Sequence, residues 1–472
     1  MKIRLSVFSV LLGICLVSWG QVGDLPRSHA EDEGMSSELV KSFVNHLANL
    51  PEVDVHHLMM LRHGKVIGEW HAAPYQAEQM HTLYSASKTV TAMAVGLAVD
   101  DGLLTVDDKV SKHLRDKMPA TLSPALDSLT VRNLLMMAAG REPDLTIPEG
   151  EADWELAPDS VETAGWGLRL QAESEAKLGQ LMLQQGQWQG RQLVSQQWMH
   201  DMTQRLISTR EESTEDLSWW DRIVRFFRTL WHTIRSWFTG YNIDDYYLGY
   251  GYQTKAIQHP RAECYFAAGY GGQLIYVVPS LDLVVVINGR AANYGDELNT
   301  LYYHLVEPML DEEVLKAAPV NLAIEMPQGE ATSPLEERLF ASSITLEDNL
   351  LALQTIDVDR EGDDRVFTMT DKRGPLRAVA ACGQWRITTG NERPIYIMES
   401  REQLVGTHRP FTSAAAYAWQ GDTLALRLDW LDGGDNRRLR VAFSGDDVTV
   451  FASDNFDPLL TDTIHGKLGV RN

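Results

Sequence analysis

"HTLYSASKTVTAMAVGLAVDD", residues 81–101, sets Ser85 three positions before Lys88 and carries no further charge until Asp100. A pair at i and i+3 lies on one face of a helix, so the hydroxyl and the amine can meet. Ser85 is expected in the first turn, where free backbone N–H groups and the helix dipole favour developing negative charge. Apolar neighbours desolvate Lys88 and favour its uncharged form. Such a lysine takes the proton from the serine and leaves a nucleophile suited to acyl transfer. The helix that follows is apolar all round, the mark of a buried helix. The bland alternative makes Ser85 a cap and sends Lys88 out to solvent. The same spacing recurs at Ser174 and Lys177 in "QAESEAKLGQ", a polar helix start where a solvated lysine is expected.

Working outward, 472 residues exceed one compact core, so two domains are expected. Hydrophobic residues at 44% and charged residues at 23% are those of a globular protein. A net charge of −23 argues against a nucleic-acid partner, because phosphates would be repelled. Lys2 and Arg4 precede "LSVFSVLLGICLVSW", a short apolar run followed by small residues. Residues 1–20 therefore read as a secretory signal, an uncleaved anchor being the alternative, and the protein as exported, periplasmic or secreted. Removing Cys15 leaves Cys264 and Cys382, which make no disulfide framework and have no metal-site spacing. They are expected as two separate buried thiols, with one cross-domain pair as the alternative.

The patterning changes near residue 313. "VLKAAPVNLAIEMPQGEATSP" is a connector, and "RVFTMTD", "GQWRITTG", "TLALRLDWL", "RRLRVAFSG" and "DVTVFASDN" then alternate between turn residues. Residues 335–472 are expected to form a β-sandwich or barrel, behind an α/β (α+β) domain over 24–312. One insertion, Trp219–Phe238, holds four of the 13 tryptophans. Its apolar residues fall in one arc of roughly 160° and its four arginines in the other, which predicts an amphipathic helix able to lie on a membrane surface. A lid or packing helix is the competing expectation.

With these motifs in hand, the chain resembles the β-lactamase-related serine hydrolases, near class C β-lactamases and penicillin-binding-protein-like esterases. The resemblance runs from "LPRSHAEDEGMSS" to about residue 310. It is carried by "SASKTVTAMAVGLAVDDGLLTVDDKVSKHL", "LTVRNLLMMAAG", "TAGWGLRLQAESEAKLGQLMLQQGQWQGRQL", "YGYQ" and "AAGYGGQLIYVVPSLDLVVVING". It implies a β-lactamase/transpeptidase-like fold, an antiparallel sheet with a helical cluster. It also implies Ser85 as the acylated nucleophile, Lys88 as its proton partner, and no metal or organic cofactor. The oxyanion strand would be Ala268, Gly269, Tyr270, Gly271 and Gly272, with N–H groups supplied by Ser85 and by Ala268 or Gly269. The C-terminal strands are similar to a β domain that some exported members append.

Two departures from the family pattern bear on activity. "AAGYGG" stands where relatives carry Lys-Thr-Gly, which argues against β-lactam specificity more than against hydrolysis. Between Gly140 and Trp166, "REPDLTIPEGEADWELAPDSVE" replaces a longer segment with the Tyr-x-Asn motif, whose tyrosine is the family's second acid/base. Tyr84 and Tyr270 are the candidates to replace it, and core packing is the ordinary role of each. Ser453-Asp454-Asn455 matches another family motif but falls in the β domain, in the wrong chain order, and is set aside. The first expectation is a hydrolase of small esters, amides or cell-wall-derived peptides with impaired turnover. The second is a catalytically degenerate binding protein, and the third a membrane-surface protein acting through residues 219–238.

Overall fold

The computed structural model describes residues 24–51, 53–115, 118–137, 165–208, 248–291, 294–311, 318–320, 322–371, 374–390, 411–454 and 461–471. Residues 1–20, expected as a signal, residues 219–238, expected as an amphipathic helix, and most of the segment between Gly140 and Trp166 lie outside them.

A mixed α/β domain is built on an eight-stranded antiparallel sheet. Its strands are β1 (Val53–Arg62), β2 (Lys65–His71), β7 (Ile207–Ser208), β8 (Leu248–Tyr250), β9 (Lys255–Gln258), β10 (Glu263–Gly269), β11 (Gln273–Val278) and β12 (Leu283–Ala291). They run in the order β2-β1-β12-β11-β10-β9-β8-β7. Small pairs join β3 (His81–Thr82) to β4 (Arg169–Leu170), and β5 (Gln187–Trp188) to β6 (Arg191–Gln192).

Every residue of β11 is buried, and β12 is buried from Leu283 to Gly289, because both faces of the sheet are covered. Alternate residues serve different cores. Ile275, Val277, Val284 and Val286 face α2 (Ser87–Asp100), α3 (Ala172–Leu183) and α4 (Gln196–Thr203). Leu274, Tyr276, Val285 and Ile287 face α1 (Ser37–Ala48) and α5 (Tyr294–Leu301). The amphipathic face of α1 is Leu39, Val40, Phe43, Val44 and Leu47, and Ser36 caps its start by accepting from the Leu39 N–H.

The C-terminal region is all β. β13 (Ser342–Leu346), β14 (Leu353–Glu361), β15 (Asp364–Asp371), β16 (Gly374–Cys382), β17 (Arg386–Gly390), β18 (Phe411–Gln420), β19 (Thr423–Trp430), β20 (Asn436–Ser444), β21 (Asp447–Asp454) and β22 (Thr461–Val470) form one sheet. It runs β16-β15-β14-β13-β22-β21-β20-β19-β18-β17, and pairing of β16 with β18 closes it into a barrel. Of the sandwich and the barrel, the chain adopts the barrel. Its interior is filled by side chains such as Ile356, Phe367, Tyr417, Trp419, Leu426, Trp430 and Val450.

One wall of the barrel breaks the in–out alternation. β19 is buried at seven of its eight positions, including Ala425, Arg427 and Asp429 on the outward side. That side rests on the α/β domain. Arg427 and Arg438 donate to Asp54 at 2.9 and 3.2 Å, and Ala72, Tyr75, Ile324, Ala414 and Leu431 form an apolar patch. Cys264 and Cys382 are both free thiols, so no bond joins them; Cys264 is buried as expected, but Cys382, at the end of β16, is only partly so. No described helix is long and apolar enough to cross a membrane.

Candidate active site

Ser85 sits in a short 3-10 turn, Tyr84–Ala86, that runs directly into α2 at Ser87. No residue of α2 is exposed before Asp100, as its apolar sequence implies. One helical turn after Ser85, the buried Lys88 Nζ donates to Ser85 Oγ at 2.9 Å and to the Gly165 carbonyl at 2.7 Å. The snorkelling alternative fails, since Lys88 is only 7% exposed. At the second Ser–Lys spacing, Lys177 is half-buried and pairs with Glu173 at 3.5 Å, so the expected solvated lysine is a helix-surface ion pair instead.

The glycine-rich strand lies against this turn. β10 pairs with β9 only as far as Phe266, opposite Lys255, and its remaining residues pack beside Tyr84–Ala86. Gly269 makes that approach possible, because a Cβ there would stand 2.0 Å from the Leu83 carbonyl oxygen. Ala268 pairs with Leu274 and Gly269 with Gln273 on the other side. The Gln273 side chain donates to the Tyr270 and Gly271 carbonyls, both at 3.3 Å, and to Gly289 O at 2.8 Å, which ties down the turn between β10 and β11. Gly272, at φ 93°, faces the buried carboxyl of Glu297 on α5. Burial pushes that carboxyl well above the usual range and favours its neutral form.

Of the two candidate tyrosines, Tyr84 lies in the serine turn itself and Tyr270 in the turn between β10 and β11. The Tyr84 hydroxyl donates to Asp435 Oδ1 at 2.9 Å, in the turn between β19 and β20. Tyr270 is 46% exposed and stands edge-on to the Tyr84 ring, with centroids 6.1 Å apart. Asp454, of the discarded Ser-Asp-Asn string, is inside the barrel and bound by Arg437 at 2.7 and 2.8 Å. Asn455 lies outside the described residues.

Behind the serine turn is a histidine cluster that sequence reading missed. His56 Nδ1 is 3.0 Å from His81 Nε2, His57 Nδ1 is 2.7 Å from His71 Nδ1, and Tyr75 stacks on His56. Burial holds His56 and His57 well below the usual imidazole range and brings His81 down to about 4. These rings are neutral at physiological pH. No group of three or more metal-ligating side chains with suitable geometry occurs among the described residues.

The arrangement joins a serine hydroxyl, an amine within proton-transfer distance, and backbone N–H groups of a turn and a strand. Residues 49–191, which include both Ser85 and Lys88, match the family model described as Beta-lactamase. Among solved structures, the chain is similar to a penicillin-binding protein homologue from Caulobacter crescentus. The identity is 14%, over 59% of this chain and 96% of that one, at a TM-score of 0.40. The octameric penicillin-binding protein homologue from Pyrococcus abyssi is 12% identical over 90% of this chain and 97% of its own, at 0.38. A class C β-lactamase from Rhodobacter sphaeroides is 14% identical over 58% and 99%, at 0.35. No curated protein matches. Residues 49–191, the part of the chain that holds Ser85 and Lys88, thus carry a Beta-lactamase family match, and β-lactamase-fold proteins are generally serine hydrolases.

Proposed function

We propose that this protein forms an acyl-enzyme on Ser85 and hydrolyses small esters, amides or cell-wall-derived peptides, with slow turnover. The observation that carries the reading is the Lys88 amine, 2.9 Å from Ser85 Oγ and held on its other side by the Gly165 carbonyl. A carbonyl only accepts, so one Lys88 N–H is committed to Gly165 while the nitrogen faces the serine. In the forward step Ser85 Oγ passes its proton to Lys88 Nζ and bonds to the acyl carbon. The carbonyl π electrons move onto oxygen, and the N–H groups of Ser85 and of the Ala268–Gly269 stretch receive that charge. Collapse breaks the bond to the alcohol or amine, which leaves with the proton from Lys88. Water then passes a proton to Lys88 Nζ as its oxygen bonds to the acyl carbon, the bond to Ser85 Oγ breaks, the acid leaves, and Lys88 returns the proton to Ser85 Oγ.

Turnover is slow in this reading because Lys88 serves both proton transfers. A dedicated second acid/base typically contributes about 10²–10⁴-fold. Fluorophosphonate labelling followed by intact mass, beside p-nitrophenyl acetate hydrolysis, tests wild type against Ser85→Ala. One adduct on wild type, none on the variant, and a low Ser85-dependent turnover are expected. Failure of Ser85 to label removes the acyl-enzyme and leaves a non-catalytic relative. Rapid turnover that disappears in Ser85→Ala rejects the slow step and requires another acid/base.

A further inference from the structure

The backbone at Tyr84 is left-handed, with φ at 45°, a conformation that a bulky residue keeps only when its surroundings impose it. Two of the constraints come from the same domain. The Leu83 N–H donates to Leu168 O at 2.7 Å, and Gly269 of β10 closes on the Leu83 carbonyl with no space for a side chain. Two more come from the barrel. Asp432 O accepts from the Thr82 N–H at 3.1 Å, and the Asp435 carboxylate accepts from the Tyr84 hydroxyl at 2.9 Å, in a buried contact. The hydroxyl and its acceptor are 351 residues apart in sequence, and Asp435 is 2% exposed. A carboxylate acceptor shielded from water grips a hydroxyl more firmly than a neutral or solvated one.

Tyr84 immediately precedes the serine, so a rotation of its backbone swings Ser85 Oγ relative to Lys88 Nζ. We propose that Asp435 is a positioning residue of the Ser85 site: the barrel supplies it, and through the Tyr84 hydroxyl it fixes the strained turn that aims the serine at Lys88. This rests on the acyl-Ser85 reading above. The competing role for the contact is adhesion between the two domains. Adhesion has other means, in the Asp54 ion pairs with Arg427 and Arg438 and in the apolar patch around Tyr75 and Leu431. Removing one hydroxyl therefore separates the two roles.

The experiment uses the full chain with Tyr84→Phe, Asp435→Ala, Asp435→Asn and the Tyr84→Phe/Asp435→Ala double variant. Fluorophosphonate labelling rates of Ser85 are read together with amide hydrogen exchange across residues 81–88 and thermal melting. Tyr84→Phe and Asp435→Ala should each slow labelling by roughly 10- to 100-fold, the size expected when a reacting group is displaced by a fraction of an ångström to an ångström. The double variant should be no slower than the worse single one, and Asp435→Asn should stay within about threefold of wild type, because an amide oxygen still accepts from the hydroxyl. Exchange across 81–88 should quicken while melting is unchanged. Wild-type labelling rates in both single variants, or losses that multiply in the double, overturn the proposal. So does slow labelling that only accompanies a lower melting temperature, since that is adhesion. If wild-type Ser85 does not label at all, the acyl reading is what fails. Exchange then decides alone: faster exchange at 81–88 in Tyr84→Phe supports positioning of the turn, and unchanged exchange overturns it.

Discussion

Inside the barrel, Arg365 meets Glu336 through two nitrogens, each at 2.9 Å, and Arg437 meets Asp454 at 2.7 and 2.8 Å. In the hydrolase-like domain, Glu175, Glu297, His56 and His57 are as deeply buried, yet none has an ion-pair partner among the described residues. The first arrangement keeps its charges, because a guanidinium fork and a carboxylate satisfy each other away from water. The second gives its charges up. Burial raises Glu175 and Glu297 well above the usual carboxylate range and lowers His56 and His57 well below the usual imidazole range. One half is thus sensitive to losing a partner, and the other to a change of pH.

The largest expected effect comes from orphaning a barrel charge. Asp454→Ala leaves the Arg437 guanidinium buried without its carboxylate and should cost about 3–5 kcal/mol in urea unfolding. Replacing both residues by leucine should cost far less, since no charge is then stranded. A single-variant cost below about 1 kcal/mol would mean that water reaches Arg437 and that the contrast between the halves is false.

Acidification acts on the other half. His56, His57 and His81 have folded pKa values below their unfolded ones, so the unfolded chain binds protons first as pH falls below about 6.5. Each then removes roughly 1.4 kcal/mol of stability per pH unit, until the folded pKa is reached, about 4 for His81. Glu175 and Glu297 oppose this: their folded pKa is raised, so they cost stability at neutral pH and return it as pH falls towards about 4.5. The two sets act in opposite directions, so the glutamates blunt the loss of stability that the histidines cause as pH falls. The Glu175→Gln/Glu297→Gln variant should lose stability more steeply than wild type as pH falls. Equal slopes in urea titrations at pH 7.5, 6 and 5 would remove the glutamates from this account.

The smallest effect isolates one acid. Glu297→Gln supplies permanently the neutral group that burial favours, and should stabilise the chain at pH 8. The gain should vanish near pH 4.5, where the unfolded carboxyl is also protonated. Destabilisation at pH 8 would indicate a bound cation or water that needs the carboxylate.

What the sequence disclosed follows the range of the forces involved. Ser85 and Lys88 lie within one helical turn, so their encounter was readable from spacing, as was the burial of α2 from its long uncharged run. The barrel announced itself wherever strands show one face to solvent: in "DVTVFASD" the inward Val448, Val450 and Ala452 alternate with more exposed neighbours. In β19 that signal fades, because Arg427 and Asp429 face outward but are covered by the other domain. A long-range pair such as Tyr84 and Asp435 leaves no local trace, and a tyrosine gives no hint that its backbone is left-handed. The Gly165 carbonyl that anchors Lys88 belongs to the same class: any residue can offer a carbonyl. The four histidines, spread from 56 to 81, form a cluster only once β1, β2 and β3 are placed.

The pairing of β1 with β12 also sets the order in which the chain can be completed. Val53 sits opposite Ala291 and Arg62 opposite Leu283, so the first strand made waits for more than two hundred residues of synthesis before its main hydrogen-bonding neighbour exists. Its own hairpin with β2 can form early, but a two-stranded piece is only marginally stable in water. Closing so long a loop is slow, and it leaves apolar strand edges uncovered in the meantime. Asp435 arrives later still, after the sheet is closed. The serine turn is therefore among the last parts of the molecule to acquire all its supports, and an interrupted chain would carry the reactive pair well before it carried the means to aim it.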